Sequence, residues 1–450
     1  MRNLLLALLG LLVGACTSAP EPPAPAPSPS TAPPSNPERE VAGPPPNIIY
    51  IIGDDLGWPY HSFLGDDIVR MPNLDRLARE GTVFTNGYVT ASVCNPSLRS
   101  LRTGVPAFGR RGGGTAGSVP AENSLPALLA TRGYASLQTG KFWASDFLAA
   151  GFTEGTKVRT NGKKPPWMGD EEGIGRKTMQ PVFDFIERHQ NEPFFLWFAP
   201  KLPHRPWNAP RHFRRLYADR RAELSPDTLS YYANISWLDK VVGELLAFLD
   251  AKGLQSRTLI VYLSDNGYGP RPEDGLAVAP WKGAKGTTSD LGFRTPIVFH
   301  WPGRIPGGVV RDDLVYTLDL FPTILGYAGV EPPTNRPGLD LREALAGAPG
   351  PREEIIGFMD AVRIFDPDDL PPGNKSNAFF LRNARWHYVW APSEETELLF
   401  DIADDPFEQK NLAAEQPEVA RELRARIDAW RSPDTSMLGA PEGSMLPKTP

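Results

Sequence analysis

Asn47-Ile48-Ile49-Tyr50-Ile51-Ile52-Gly53-Asp54-Asp55 is the stretch on which the fold turns. A run this short and this continuously apolar suits a strand buried on both faces of a parallel sheet. Asp54 and Asp55 then stand at its carboxyl end, where open α/β sheets bind ligands. A second run, Thr258-Leu259-Ile260-Val261-Tyr262-Leu263, ends in Ser264-Asp265-Asn266-Gly267. One such turn is ordinary Asx chemistry. Two, each after a buried strand, together offer three carboxylates and an amide carbonyl. An all-oxygen set of this kind suits Ca²⁺ or Mg²⁺ rather than zinc.

Further strands are predicted over Tyr134–Gln138, Phe194–Ala199 and Thr295–His300. They alternate with predicted helices over Leu74–Glu80, Pro96–Arg102, Pro126–Arg132, Met179–Gln190 and Thr228–Lys252. That alternation predicts an α/β sandwich with a large, mostly parallel central sheet flanked by helices. After about Pro333 the pattern changes. Phe379–Leu381, His387–Trp390 and Leu398–Asp401 read as short antiparallel strands, and Pro417–Trp430 as an amphipathic helix. The expected division is a catalytic α/β domain over 47–333, a small C-terminal subdomain with a short antiparallel sheet and a helix over 334–431, and a loose tail over 432–450.

Between the first two long runs lies Cys94-Asn95-Pro96-Ser97-Leu98-Arg99-Ser100-Leu101-Arg102-Thr103-Gly104. Pro96 suits a first helical turn, where its missing N–H costs nothing. Cys94 would then face unpaired backbone N–H groups and the positive end of the helix dipole. That setting is expected to lower the thiol pKa and to attract anions.

This stretch resembles the active-site signature of the sulfatase family, Cys-x-Pro-Ser-Arg followed four residues later by Thr-Gly. Further similar segments follow in order: Thr139-Gly140-Lys141, Pro203-His204-Arg205-Pro206, and Lys285-Gly286-Thr287-Thr288 with Gly292, Arg294 and Pro296. Leu318 to Thr323 and Asp405 to Leu412 match later landmarks. The similarity runs from about Asn47 to about Leu412, within the alkaline phosphatase-like superfamily. Leu98 stands where the family has arginine, and Trp143 where it has histidine.

The resemblance implies a sulfuric ester hydrolase whose Cys94 is oxidised by a separate formylglycine-generating enzyme. The hydrated aldehyde would attack sulfur. It implies that Asp54, Asp55, Asp265, Asn266 and the modified Cys94 hold the cation. Lys141 and Lys285 would neutralise the sulfate, and His204 would lie near the leaving oxygen. The expected substrates are sulfated glycans or aryl sulfates. Two other readings stay open because of Leu98 and Trp143: a phosphoester hydrolase using unmodified Cys94, and a non-catalytic binder of sulfated polymers. Of the other histidines, only His61 is near a motif; the rest read as structural.

Composition agrees with an enzyme outside the cytoplasm. The chain has 450 residues, 41% of them hydrophobic, enough for one large domain with an appendage. A net charge of −6 argues against nucleic acid as a general partner. Arg2 and the apolar run from Leu4 to Val13 read as a signal peptide over 1–15, too short to span a membrane. Val13-Gly14-Ala15-Cys16 resembles a bacterial lipoprotein box. It implies a lipid anchor on Cys16, with Thr17 after it pointing to the outer membrane of the cell envelope. A Pro-rich linker follows over 16–46, expected to be an extended spacer. Cys16 and Cys94 are the chain's two cysteines, both with a proposed duty.

Overall fold

The computed structural model describes residues 44–106, 119–142, 144, 146–156, 173–220, 222, 224–268, 285–367 and 375–431. The signal peptide, Cys16, nearly all of the linker, Trp143 and the tail over 432–450 lie outside the described residues.

Eight strands among the described residues form the main sheet: β1 (Asn47–Gly53), β2 (Thr82–Tyr88), β3 (Ala135–Gly140), β4 (Glu154–Gly155), β5 (Phe194–Ala199), β6 (Thr258–Ser264), β7 (Arg294–His300) and β8 (Val309–Tyr316). Their order is β4-β3-β5-β1-β6-β7-β2-β8. Only β7 runs antiparallel to its neighbours, β6 and β2. The helices are α1 (Pro72–Glu80), α2 (Cys94–Thr103), α3 (Leu125–Ala130), α4 (Gln180–His189), α5 (Arg211–Arg215), α6 (Pro226–Ala251), α7 (Asp290–Phe293), α8 (Leu320–Tyr327), α9 (Arg342–Leu345) and α10 (Pro417–Arg431).

The continuous apolar runs are explained by a sheet covered on both faces. Side chains alternate across a strand, so β1 sends Ile49 and Ile51 into one core and Ile48, Tyr50 and Ile52 into another. Strand β5 divides in the same way, with Phe194, Leu196 and Phe198 in the first core and Phe195 and Trp197 in the second. Leu74 and Leu77 of α1, Val182 and Phe185 of α4 and the apolar residues of α6 close the first core. Leu98 and Leu101 of α2, Leu125 and Leu129 of α3 and Ile324 of α8 close the second. The predicted mostly parallel sandwich is therefore the observed one.

A second, antiparallel sheet has the order β12-β11-β10-β9, from β9 (Glu354–Arg363), β10 (Lys375–Asn383), β11 (Trp386–Ala391) and β12 (Thr396–Asp401). Helix α10 covers it with Ala420, Leu423 and Ile427. Buried charges join the two sheets. Arg382 of β10 donates to Asp290 of α7 at 3.0 Å and to the Tyr88 hydroxyl at 2.8 Å. Glu408 accepts from the Asp290 backbone N–H at 2.9 Å and also meets the His387 ring. No helix among the described residues is long and apolar enough to cross a membrane.

His61 is fully buried, with Nδ1 2.9 Å from the Trp58 carbonyl and Nε2 2.7 Å from the Tyr262 hydroxyl. Burial pushes its pKa down to about 4, against the carbonyls of Trp58 and Gly57, which favour the charged ring. A group depressed in the folded state contributes stability that is fully present above its unfolded pKa and is lost as pH falls through the folded one. The window here runs from about pH 6.5 down to about pH 4. Across it His61 should cost the fold about 3 kcal/mol. Thermal melts from pH 7 to pH 4 should show this loss in wild type and less of it in His61→Gln. Equal pH slopes in the two proteins would refute the assignment.

Candidate active site

The site follows from strand register. Gly53 of β1 pairs in parallel with Ser264 of β6, so the next residues, Asp54 and Asp265, emerge side by side. The Asp265 N–H donates to the Gly53 carbonyl at 2.9 Å, and the Asp55 N–H donates to Asp265 Oδ1 at 3.1 Å. Lys141 follows β3 and His204 follows β5, both parallel to β1, so their chains also leave at this edge. Gly140, at φ 62°, turns the chain there; a Cβ would stand 1.9 Å from the Ala199 carbonyl oxygen. Strand β2 delivers Cys94 to the same edge, and Lys285 precedes the antiparallel β7.

The charged groups meet closely. Lys141 Nζ donates to Asp54 Oδ1 at 2.5 Å and stands 3.8 Å from Asp265 Oδ2. Lys285 Nζ donates to Asp55 Oδ1. His204 Nε2 lies 3.6 Å from Asp55 Oδ2. Burial pushes the Asp55 carboxyl up, but Lys285, Lys141 and His204 outweigh it and hold it well below the usual carboxylate range. Asp265 goes the other way: burial and then the charge of Asp54 raise it. Burial works against the ammonium of Lys141, yet Asp54, Cys94 and Asp265 raise its pKa, so it stays charged. Burial also works against Lys285, which is raised chiefly by Asp55.

Among the four candidate cation ligands Asp54, Asp55, Asp265 and Asn266, three buried oxygens are left without a hydrogen bond: Asp54 Oδ2, Asp265 Oδ2 and Asn266 Oδ1. Asn266 spends its amide N–H groups on Asp55 Oδ1 at 3.0 Å and the Gly267 carbonyl at 2.7 Å, which fixes its oxygen as the free end. Buried unpaired acceptors are costly, and a hard cation satisfies them. The residues present therefore fit a Ca²⁺ or Mg²⁺ ion. Asp54, Asp55 and His204 offer ligand atoms within 4.8 Å of one another. His204 thus stands beside the carboxylates. Cys94 forms no such group among the described residues.

Cys94 opens α2, with Val93 as its N-cap. The expected lowering of its thiol pKa is not what the fold produces. Burial pushes the thiol up, more than Lys141 and Lys285 pull it down, while Asp265 and Asp54 add to the rise. Desolvation is the largest effect on this thiol, and the two carboxylates add to it. Leu98, one turn on, is 1% exposed and packs in the second core, against which Cys94 also packs.

Several supporting residues carry no local signal in the sequence. The Tyr231 hydroxyl of α6 donates to the Asp55 carbonyl at 2.9 Å. It braces a residue held at φ 62°, a left-handed conformation uncommon for a side chain other than glycine. Arg176 donates to the carbonyls of Lys201 and His204, both at 2.7 Å, and so shapes the His204 loop. The Gly286 N–H donates to the Ser92 carbonyl at 2.8 Å, and the Arg363 N–H of β9 donates to the Gly286 carbonyl at 3.1 Å. Lys285 is thereby held between the loop before α2 and the second sheet. Only the apolar periodicity of α6 hints that Tyr231 points inward.

The family model described as Sulfatase matches residues 46–330, which contain every one of the charged site residues and Cys94. The chain belongs to the sulfatase family. This sulfatase is 33% identical over 359 residues to N-acetylgalactosamine-6-sulfatase of Canis lupus familiaris, covering 67% of this chain and 66% of that one. It thus spans just under two thirds of the length of that relative. It is 28% identical to arylsulfatase A of Homo sapiens, covering 86% of this chain and 89% of that one. Among solved structures, one in complex with its substrate D-glucosamine-2-N,6-O-disulfate superposes at TM-score 0.70, with 21% identity over 87% of this sulfatase and 100% of that chain. The phosphonate monoester hydrolase of Agrobacterium radiobacter superposes at TM-score 0.65, with 19% identity over 86% of this sulfatase and 95% of that chain.

Proposed function

We propose that this sulfatase hydrolyses sulfuric esters on glycans, with Cys94, converted to formylglycine, as the nucleophilic position. The observation that carries this reading is the meeting of two charged lysines, three carboxylates, His204 and Cys94 at one sheet edge. A Ca²⁺ or Mg²⁺ ion on Asp54, Asp55, Asp265 and Asn266 would polarise the sulfuryl oxygens and lower the pKa of the nucleophile. Formylglycine would supply the hydrated aldehyde that unmodified cysteine lacks. Lys141 and Lys285, both kept charged by their surroundings, bind the remaining sulfate oxygens. His204 donates its Nδ1–H to the Arg205 carbonyl, 2.7 Å away, so Nε2 passes a proton to the departing sugar oxygen from the imidazolium form, with Asp55 Oδ2 3.6 Å away as its counter-charge. The names of the relatives, an N-acetylgalactosamine-6-sulfatase and a neighbour with a sulfated glucosamine as substrate, support the glycan class.

A second reading, phosphoester or phosphonate hydrolysis with unmodified Cys94, is favoured by one observation. The buried Leu98 cannot supply the family's arginine beside an aldehyde. One experiment separates the two. Mass spectrometry of the tryptic peptide Glu80–Arg99 from the native host should show formylglycine at position 94. Cys94→Ala should then lose hydrolysis of p-nitrophenyl sulfate by about 10³-fold or more. Unmodified cysteine in a preparation that cleaves phosphonate or phosphate monoesters would transfer the assignment to the second reading.

A further inference from the structure

A cavity of about 420 Å³ lies outside the catalytic edge, lined by Ala209, Arg211, Arg214 and Arg215. The three arginines are exposed and form no ion pair among the described residues; the hydrogen bond of Arg214 goes to the Trp207 carbonyl at 3.3 Å. From Arg205 to Arg220 the chain carries five arginines and one acid, Asp219, within a protein of net charge −6. A basic concavity on an acidic protein is a focused field for a polyanion. Its volume is within the range of small-ligand sites, and it is widely open to solvent, as a subsite for one group of a long polymer must be. Guanidinium groups are the side chains best shaped to take sulfate or carboxylate in two-pronged contacts.

The cavity is rigidly tied to the reaction edge. The Ala209 N–H donates to Asn234 Oδ1 at 2.9 Å, and Asn234 Nδ2 donates to the Pro203 carbonyl at 3.3 Å. Pro203 pairs with Asp54, and the Asp54 N–H donates to the Leu202 carbonyl at 2.9 Å. One amide therefore bridges the cavity wall and the strand end that carries the candidate cation ligands, bringing the Ala209 nitrogen and the Pro203 oxygen within roughly 9 Å of one another. Trp207, between them, packs against Tyr231 and Tyr268 and carries the Arg205 guanidinium 4.2 Å from its ring centre. An aromatic face flanked by arginine is suited to a sugar ring bearing an anionic group.

We infer that Arg211, Arg214 and Arg215 form a second anion subsite, which holds a sulfate of the same polysaccharide chain away from the ester being cleaved. The inference rests on the glycan reading above. It assigns this sulfatase to polymers sulfated at more than one position rather than to monosulfated fragments. The subsite contributes to binding, not to the chemical step, so it should act on KM of a polymer and leave small substrates untouched.

The test uses the triple variant Arg211→Gln, Arg214→Gln, Arg215→Gln. The charge-matched control is Lys240→Ser, Lys410→Ser, Arg421→Ser, with thermal melts on both. Dextran sulfate is the binding probe and p-nitrophenyl sulfate the small substrate. The triple variant should bind dextran sulfate about tenfold or more weakly and with a shallower salt dependence, while the control binds as wild type. Turnover of p-nitrophenyl sulfate should be unchanged in both. If the triple variant melts early, Arg211→Gln and Arg215→Gln singly should each show part of the loss. Unchanged dextran sulfate binding in the triple variant, or an equal loss in the control, overturns the inference. So does tighter, Arg-dependent binding of wild type to phosphatidylglycerol vesicles than to the polymer, which would make the patch a membrane contact. Arg-dependent polymer binding by a protein that cleaves no sulfate ester would sink the catalytic reading and leave the subsite standing.

Discussion

Asp265→Asn should strip the protein of its divalent cation and lower kcat/KM on an aryl sulfate by about 10³-fold or more. The substitution keeps the shape of the side chain and an oxygen to accept from the Asp55 N–H, so the local backbone has no cause to move. What it removes is charge. With a cation bound, which favours the ionised form of Asp265 against its raised pKa, Asp54, Asp55 and Asp265 would set three negative charges against the two positive charges of Lys141 and Lys285. With Asp265 neutral these cancel, and little attraction for a dication remains. One of the three unpaired buried oxygens also loses its charge. Elemental analysis after dialysis, with kinetics on the same sample, reads both effects. Stoichiometric Ca²⁺ or Mg²⁺ in the variant would show that the ion is held elsewhere, and stoichiometric zinc in wild type would show that its chemistry is misread.

Leu98→Arg, which restores the family's residue, should destabilise the fold by about 3–5 kcal/mol instead of improving catalysis. Leu98 is 1% exposed in the core built by α2, α3 and α8. A guanidinium there would be buried in a space packed for a smaller, apolar side chain. Leu98→Met, which conserves volume and polarity, should cost less than about 1.5 kcal/mol. Denaturant melts of the three proteins check the pair of values. A Leu98→Arg protein as stable as wild type and faster on aryl sulfate would mean that this side chain reaches the site. On the present geometry the positive charge beside the reacting group is left to Lys141 and Lys285.

The contrast between these two positions shows what can be read before folding. Asp265 is legible because it follows an uninterrupted apolar run, and such a run suits a strand covered on both faces. The same holds for Asp54, and the register of β1 with β6 then brings the two together. Leu98 is legible only as a gap in a motif, since whether α2 turns that side chain to the site or to the core depends on α3 and α8. Strand β2 is hidden because Asn86 and Gly87 interrupt its apolar pattern. Yet Gly87 is required where β7 passes; a Cβ would stand 2.5 Å from the Thr295 carbonyl oxygen. Strand β8 is hidden because Arg311, Asp312 and Asp313 mark a half-exposed sheet edge. The thiol of Cys94 misleads because its desolvation is a tertiary quantity, set by residues far away in sequence.

The hydrogen bond from Arg363 to Gly286 has a bearing on timing. Lys285 cannot be set in place until β9 exists, and Arg363 leaves the ribosome about 270 residues after Cys94. At about 5–20 residues per second that interval is longer than about ten seconds. Throughout it the cysteine belongs to an incomplete chain whose catalytic edge has not closed. If Cys94 is converted as proposed, a converting enzyme would have that period to act, before the packing of Leu98 and Leu101 withdraws the segment into the core. Synthesis order would thus decide which molecules become modified, and faster elongation would leave more of them with a plain thiol.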